Sequence, residues 1–273
     1  MKKNKSLLLS GPYILWMLVF TLIPLGVVGY YALTDPSTGA FTWKNIRDLG
    51  LFLPTLGTSV WYSLVSAFIC LLLGYPVAYF IAHRQATTQK ILYMLVMLPM
   101  CMSFLLRTLA WVGLLETNGI INQFLGLLGL GKLNLIGTPG AVILGMVYNY
   151  LPYMILPLYA IIVKIDNRLI EAAEDLGCTP VQVFSKVVLP LSMPGILSGV
   201  TMVFVPAVST FYISQKLGGT DTMLIGDVIE RQFKSAGNPN LGAALSLVLM
   251  LLVFICTGIM NRFGSDEEGG VLV

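Results

Sequence analysis

Apolar residues gather in six long windows, at about 9–33, 56–82, 91–115, 139–162, 191–213 and 241–261. Wound as a helix, each is long enough to cross the roughly 30 Å of hydrocarbon in a bilayer. The runs are continuous and lack the alternation of ten-residue barrel strands, so they predict helices. The expected fold class is an all-α polytopic membrane protein with six transmembrane helices. One polar island breaks the pattern, at 163–190 between the fourth and fifth windows. No repeat at the periods of solenoids, no inverted repeat and no low-complexity linker divides the chain, so one membrane domain is expected over 1–273.

The first window opens as MKKNKSLLLSGPYILWMLVF, which has the basic flank of a signal peptide. Its apolar part is too long for a signal's central region and no A-x-A-like site follows, so it is expected to remain as the first span. The spans are not plain lipid-facing rods. Proline occurs in or beside five of them, at Pro24, Pro76, Pro99, Pro152 with Pro157, and Pro206. An interior proline frees a backbone carbonyl, which favours protein or a water-lined cavity over lipid. Span four, VYNYLPYMILPLY, adds Tyr148, Asn149, Tyr150 and Tyr153 to its two prolines; span five follows Pro206 with Ser209, Thr210 and Tyr212. These residues, with Trp111 of span three, are candidates for lining a translocation path. The alternative is helix packing, since GILSG (Gly195, Gly199) is a small-xxx-small seam and Ser/Thr hydroxyls bond across helices.

The polar island reads as two short capped helices. In KIDNRLIEAAEDLG, Leu169, Ile170, Ala173 and Leu176 recur at helical spacing, Asp166 or Asn167 can serve as N-cap, and Gly177 stands where a C-cap belongs. Thr179-Pro180-Val181-Gln182 then opens a second helix with an N-cap, a proline at its first position and the far arm of a capping box. Val181, Phe184, Val188 and Leu191 form its apolar stripe, and Pro190 and Pro194 end it. Joining two spans does not require so long a structured connection. Docking of a soluble partner is the reading this length supports, against an inert structured loop.

Charge orients the chain. With 56% hydrophobic and 11% charged residues and a mean hydropathy of +0.84, the composition fits only a membrane class, and a net charge of +3 scattered at loop ends gives no nucleic-acid footprint. With the N-terminus inside, nine basic residues (Lys2, Lys3, Lys5, Arg84, Lys90, Lys164, Arg168, Lys186, Arg262) face the cytoplasm and six (Lys44, Arg47, Lys132, Lys216, Arg231, Lys234) face out. Three of the nine precede the first span, where they count most. Both termini and the island are therefore expected in the cytoplasm.

Catalytic chemistry finds little support. The one histidine, His83, lies beside Arg84 at a span end and reads as an interfacial anchor, and the four cysteines have no metal-ligand spacing. GLLGLGKL imitates a nucleotide-binding loop, but Leu133 stands where magnesium would need Ser or Thr. The chain is thus expected to carry no metal, cofactor or nucleotide site of its own. Arg107, deep in span three, must face the protein interior or snorkel, paired with a carboxylate or with carbonyls freed at a proline.

The island also carries a motif. Glu171-Ala172-Ala173, three residues, Gly177, nine residues, Val187, one residue, then Leu189-Pro190 resembles the EAA loop of ABC-importer permeases, departing only in Val187 where isoleucine is commoner. Within that superfamily the chain resembles the PotB-type permeases of spermidine/putrescine importers over nearly its whole length, most densely in LLLGYPVAYFIAH, VYNYLPYMILPLYAIIVKIDNRLIEAAEDLG, LPLSMPGILSG and LGGTDTMLIGDVIERQF. The resemblance implies a bacterial inner-membrane, multi-pass subunit. It also implies a second, PotC-like permease, two copies of a cytoplasmic ATPase that binds ATP and Mg, and an extracellular polyamine-binding protein. The EAA helices would sit in a groove of that ATPase. An extended polycation suits aromatic faces and carboxylates. The available acids are Glu116 at the end of span three and Asp221, Asp227 and Glu230 after span five. Permeases for iron, sulfate or opines share the loop and remain alternatives, as does an ion-coupled secondary transporter, which would need intramembrane acids that the spans lack.

Overall fold

A computed structural model describes residues 13, 15–36, 38–129, 131–219, 222–235 and 237–268. Lys2, Lys3, Lys5 and Asp221 lie outside the described residues. Those described are nearly all helical, their one isolated β-bridge joining Thr34 to Phe41. Five stretches are long and apolar enough to span a membrane: Leu15–Ala32, Lys44–Ala82, Phe104–Leu127, Pro139–Ile162 and Pro239–Met260. A bent pair, Pro180–Leu191 with Met193–Ser209, passes the same test only when its two arms are taken as one broken span, which brings the number to six.

The chain divides into two compact units, Met1–Pro54 with Val228–Leu252 and Thr55–Asp227 with Val253–Val273. In the first, α1 (Leu15–Ala32) opens its pitch into a π turn over Leu18–Leu22, just before Pro24, whose missing N–H and ring disfavour a regular turn there. Orphan carbonyls at the end of α1 find side-chain donors. Asn45 Nδ2 donates to Ala32 O at 3.1 Å and Thr34 O at 2.9 Å, and Asn240 Nδ2 donates to Thr34 O at 2.6 Å. Ala32, Ala243 and Ala244 form a small core with Val28, Leu49 and Leu247.

The second unit is built on α2 (Leu53–Ala82), α3 (Ala86–Met97), α4 (Phe104–Leu115), α5 (Ile120–Leu127) and α6 (Pro139–Ile162), then α7 (Asn167–Asp175), α8 (Pro180–Leu191) and α9 (Met193–Ser209). After these come α10 (Tyr212–Leu217), then α11 (Ile225–Lys234) and α12 (Pro239–Glu268), of which residues 228–234 and 239–252 belong to the first unit. The central helix is α6. Along it runs α2, whose small residues Ser66, Cys70 and Gly74 allow close approach: Ser66 Oγ donates to Met146 Sδ at 3.4 Å, and a Cβ on Gly74 would lie 3.1 Å from Met154. Across it, antiparallel, lies α9. A Cβ on Gly199 would come within 2.6 Å of Met154 Sδ, and one on Gly195 within 3.2 Å of Ile161 and of the Pro157 carbonyl. The GILSG seam is thus a packing seam.

Two windows differ from the pattern read in the sequence. The third, 91–115, is not one helix. It breaks over Leu98–Cys101, a 3-10 turn carrying Pro99, and then turns extended at Met102. Hydropathy averages across such a break because the intervening residues are themselves apolar. The fifth, 191–213, runs as a helix only over Met193–Ser209 and stops at Thr210, with α10 following as a separate short helix.

Candidate functional site

The polar island folds as its capping signals require. Of the two proposed N-caps, Asp166 is used: its Oδ1 accepts the Arg168 N–H at 3.0 Å. At the other end of α7, Gly177 has φ +82°, the Cys178 N–H reaches the Ala173 carbonyl at 3.1 Å, and the Gly177 N–H reaches Glu174 O at 2.8 Å. This pair of bonds is the Schellman arrangement, and the left-handed φ is what calls for glycine. The Thr179 N–H then donates to Gln182 Oε1 at 2.9 Å, with Pro180 at the first helical position.

Beyond that cap, α8 widens into a π turn over Phe184–Val188, closed by the Leu189 N–H on the Phe184 carbonyl, one residue before Pro190. A wide turn accommodates the proline, whose ring and missing donor disrupt a regular one. The chain then bends by 64° into α9 at Ser192.

The motif residues divide by exposure. Glu171, Ala172, Gly177 and Pro190 are exposed, while Ala173, Val187 and Leu189 are half-buried. At the hinge, Leu176 is 87% and Val181 75% exposed, and Glu171, Glu174 and Asp175 surround this apolar tip in sequence with exposed carboxylates. The expected stripe of the second helix is therefore split. Val188 turns inward with Val183, which the stripe did not include, while Val181 points out. The π turn shifts the register, so regular helical spacing misplaces one end. The result is an exposed apolar tip, Leu176 and Val181, with three exposed carboxylates close in sequence, at a glycine-capped hinge.

A second group lies about halfway along α6. The Tyr150 hydroxyl donates to the Pro206 carbonyl at 3.3 Å, and its ring lies against Phe104 at 6.5 Å and Tyr153 at 6.3 Å. Tyr212 packs at 6.3 Å from Phe104, and Lys216 Nζ stands 5.9 Å from the Tyr212 ring. Trp111 meets Tyr148 edge-on at 5.3 Å. The structure thus brings Tyr150 and Tyr212 against Phe104, a residue not singled out from the sequence, with Tyr153 on the far side of the group against Tyr150, while Trp111 and Tyr148 form a pair of their own. Ser209 is exposed, its hydroxyl returned to Val205 O at 3.2 Å; Asn149 is buried and donates to Gly145 O at 2.9 Å.

Arg107 lies within electrostatic reach of Tyr150. It is only 6% exposed, and its Nε and Nη1 have no acceptor among the described residues. The carboxylate or freed carbonyl expected for it does not reach those two atoms. Two of the acids proposed for a path are engaged locally. Asp227 is buried and its Oδ2 accepts the Leu224 N–H at 2.8 Å, satisfying a backbone donor at the start of α11. Glu230 pairs with Lys234 at 2.6 Å, one turn on. The side chain of Glu116 is exposed. His83 is also exposed, with Nδ1 2.9 Å from the Tyr79 carbonyl and its ring 4.1 Å from that of Tyr79, as befits a helix-end anchor.

Two side chains not anticipated from the sequence pack on the island: the Tyr75 and Tyr79 rings meet Phe184 edge-on at 5.4 and 6.3 Å. Gln89 ties α2, α3 and α6 together, its Nε2 donating to the Ala82 and Arg84 carbonyls, each at 2.8 Å, while Tyr159 donates to its Oε1 at 3.2 Å. Two tyrosines four apart at the end of a span are a visible signal; their partner across more than a hundred residues is not.

Residues 71–265 match the family described as binding-protein-dependent transport system inner membrane component. The sequence is 39% identical over 253 residues to the spermidine/putrescine transport system permease protein PotB of Haemophilus influenzae, covering 88% of each chain. It is 36% identical over 247 residues to the protein of the same description from Escherichia coli K12, covering 87% of this chain and 90% of the other. In fold it is similar to a chain of a bacterial ABC transporter involved in the import of the acidic polysaccharide alginate, with a TM-score of 0.81 at 17% identity, covering 97% of this chain and 99% of that one.

Proposed function

The chain belongs to the family of binding-protein-dependent transport system inner membrane components, and from this premise we propose that it is the membrane-spanning permease subunit of an ATP-driven importer of the polyamines spermidine and putrescine. It lies in the bacterial inner membrane, which it crosses several times. The observation that carries the reading is the hinged pair α7–α8 on a chain whose relatives are permease proteins of a spermidine/putrescine transport system.

In this reading both termini and the island are cytoplasmic, in keeping with the distribution of Lys and Arg. A separate ATPase, present in two copies and binding ATP and Mg, receives the tip formed by Leu176 and Val181. Glu171, Ala172, Ala173, Gly177, Val187, Leu189 and Pro190 shape and support that contact. Rocking of α7–α8 is passed through the bend at Ser192 into α9, and from α9 into α6 along the tight Gly195–Gly199 seam. A second, PotC-like permease completes the path, and a periplasmic binding protein delivers the substrate. The aromatics Tyr148, Tyr150, Tyr153, Tyr212 and Trp111, with Asn149 and Ser209, offer faces and polar edges to a polycation in transit. Tight recognition belongs to the binding protein. Glu116, and Asp221 and Glu230 beyond span five, supply a weak attraction at the outer side.

One observation favours a second reading. A buried guanidinium at mid-span suits an anionic solute, such as sulfate or an opine, better than a polycation. The test is purification of the tagged chain from its native cells followed by uptake in proteoliposomes. Recovery of an ATPase and a second permease, with ATP-dependent uptake of labelled spermidine, is expected. Recovery of a lone homodimer, with uptake that survives ATP depletion, would overturn the importer reading. ATP-dependent uptake of sulfate but not spermidine would overturn the substrate.

A further inference from the structure

The joint between α8 and α9 has little stiffness of its own. It combines a π turn, two prolines (Pro190 and Pro194) and a 64° bend within about ten residues. Each proline removes a backbone donor, and a wide turn weakens the ladder further. A displacement imposed on α7–α8 would be absorbed at such a bend unless something bridges it.

Tyr75 of α2 bridges it. The Tyr75 hydroxyl lies 2.7 Å from Ser192 Oγ, and both side chains are buried. Ser192 donates its own proton to the Leu189 carbonyl at 2.9 Å, so the hydrogen bond to Tyr75 has the phenol as donor. The same ring meets Phe184 edge-on at 5.4 Å. One side chain therefore grips the island at both ends of the soft segment, at Phe184 where the π turn begins and at Ser192 where the bend falls. One helical turn on, Tyr79 adds a second edge contact to Phe184. Towards the other end of α2, Ser66, Cys70 and Gly74 pack on Met146, Val147 and Met154 of α6.

We propose that Tyr75 is a positioning residue that locks the bend and makes α2 a second mechanical output of the α7–α8 pair, beside the covalently continuous α9. Both outputs converge on α6, from opposite partners along its length. The inference rests on the reading of 163–190 as the ATPase-docking element.

The test uses the full complex, purified with its ATPase and reconstituted in liposomes, with ATP hydrolysis and spermidine uptake measured on the same preparation. Tyr75→Phe keeps the ring and its contacts with Phe184 and removes only the hydroxyl; Ser192→Ala removes the acceptor. Expected for each is ATPase retention and hydrolysis near wild type, with uptake per ATP lowered about fivefold, the equivalent of one buried hydrogen bond at about 1 kcal/mol. The double variant should be no worse than either single one, because both remove the same bond. A simple loss of fold would instead lower hydrolysis and uptake together. The proposal is overturned if uptake per ATP is unchanged in Tyr75→Phe, if the two activities fall in parallel, or if the single effects add. A wild-type chain that retains no ATPase would overturn the docking premise itself, before any variant is compared.

Discussion

Gly177 offers a test in which backbone strain and bulk act in opposite orders. Its φ of +82° lies in the left-handed region, and a Cβ built on it meets nothing within 4 Å. Within this chain, then, a substitution meets no clash, and its cost is conformational. For an ordinary L-residue that cost is about 1–2 kcal/mol, or a factor of roughly 5–30 in the population of the hinged geometry. Asparagine tolerates the left-handed region and should cost well under about 1 kcal/mol. The hinge is exposed and lies outside the spans, so membrane insertion should be untouched and any loss of thermal stability should not exceed that conformational cost. The assay is a titration of purified ATPase subunit onto the immobilised chain, with uptake measured in parallel. Gly177→Ala should weaken association by roughly 5–30-fold, and Gly177→Asn should stay within about threefold of wild type despite its greater bulk. An unaffected Gly177→Ala would refute the claim that the Schellman hinge sets the docking geometry. If Gly177→Asn is worse than Gly177→Ala, a partner surface pressed against this position, and not strain, controls the contact.

Other outcomes follow from local geometry. Gly199→Leu drives side-chain atoms into Met154 Sδ, 2.6 Å from the Cβ position, and should lower stability in detergent by about 1–3 kcal/mol, whereas Gly113→Ala, which meets nothing within 4 Å, should be neutral or slightly stabilising; equal melting temperatures for the two would contradict the α6–α9 seam. Asn240→Leu removes one of two donors to the buried Thr34 carbonyl, the Asn45 bond remaining, and should cost about 0.5–1.5 kcal/mol, read from thermal unfolding. Asp227→Asn keeps an oxygen for the Leu224 N–H and should preserve uptake, while Asp227→Ala should loosen the start of α11 and lower the melting temperature. Lost polyamine uptake in a stable Asp227→Asn would restore that carboxylate to the path.

How much was readable in advance depends on the range of the interaction. Span number, helical class and the capped island follow from hydropathy and from residues within four or five positions of one another. Asp166, Gly177, Thr179 and Gln182 each satisfy a backbone group close by in sequence, so local pattern was enough. The break at Leu98–Cys101 escaped because apolar residues fill it, and the turned-out Val181 escaped because a π turn shifts the register that spacing assumes. Some local engagements were passed over as well: Asp227 accepts the Leu224 N–H three positions back, and Glu230 pairs with Lys234 four positions on. Roles that depend on distant residues were not legible: Arg107 looked paired until no acceptor reached its Nε and Nη1.

By itself, then, the sequence determined a helical membrane protein with a hinged polar pair, because lipid leaves backbone groups no other partners and caps act locally. Only the tertiary structure decided which helices touch α6, and that Tyr75 spans the bend at Ser192. Those outcomes depend on contacts between residues up to more than a hundred positions apart, where packing, and not periodicity, selects the partner.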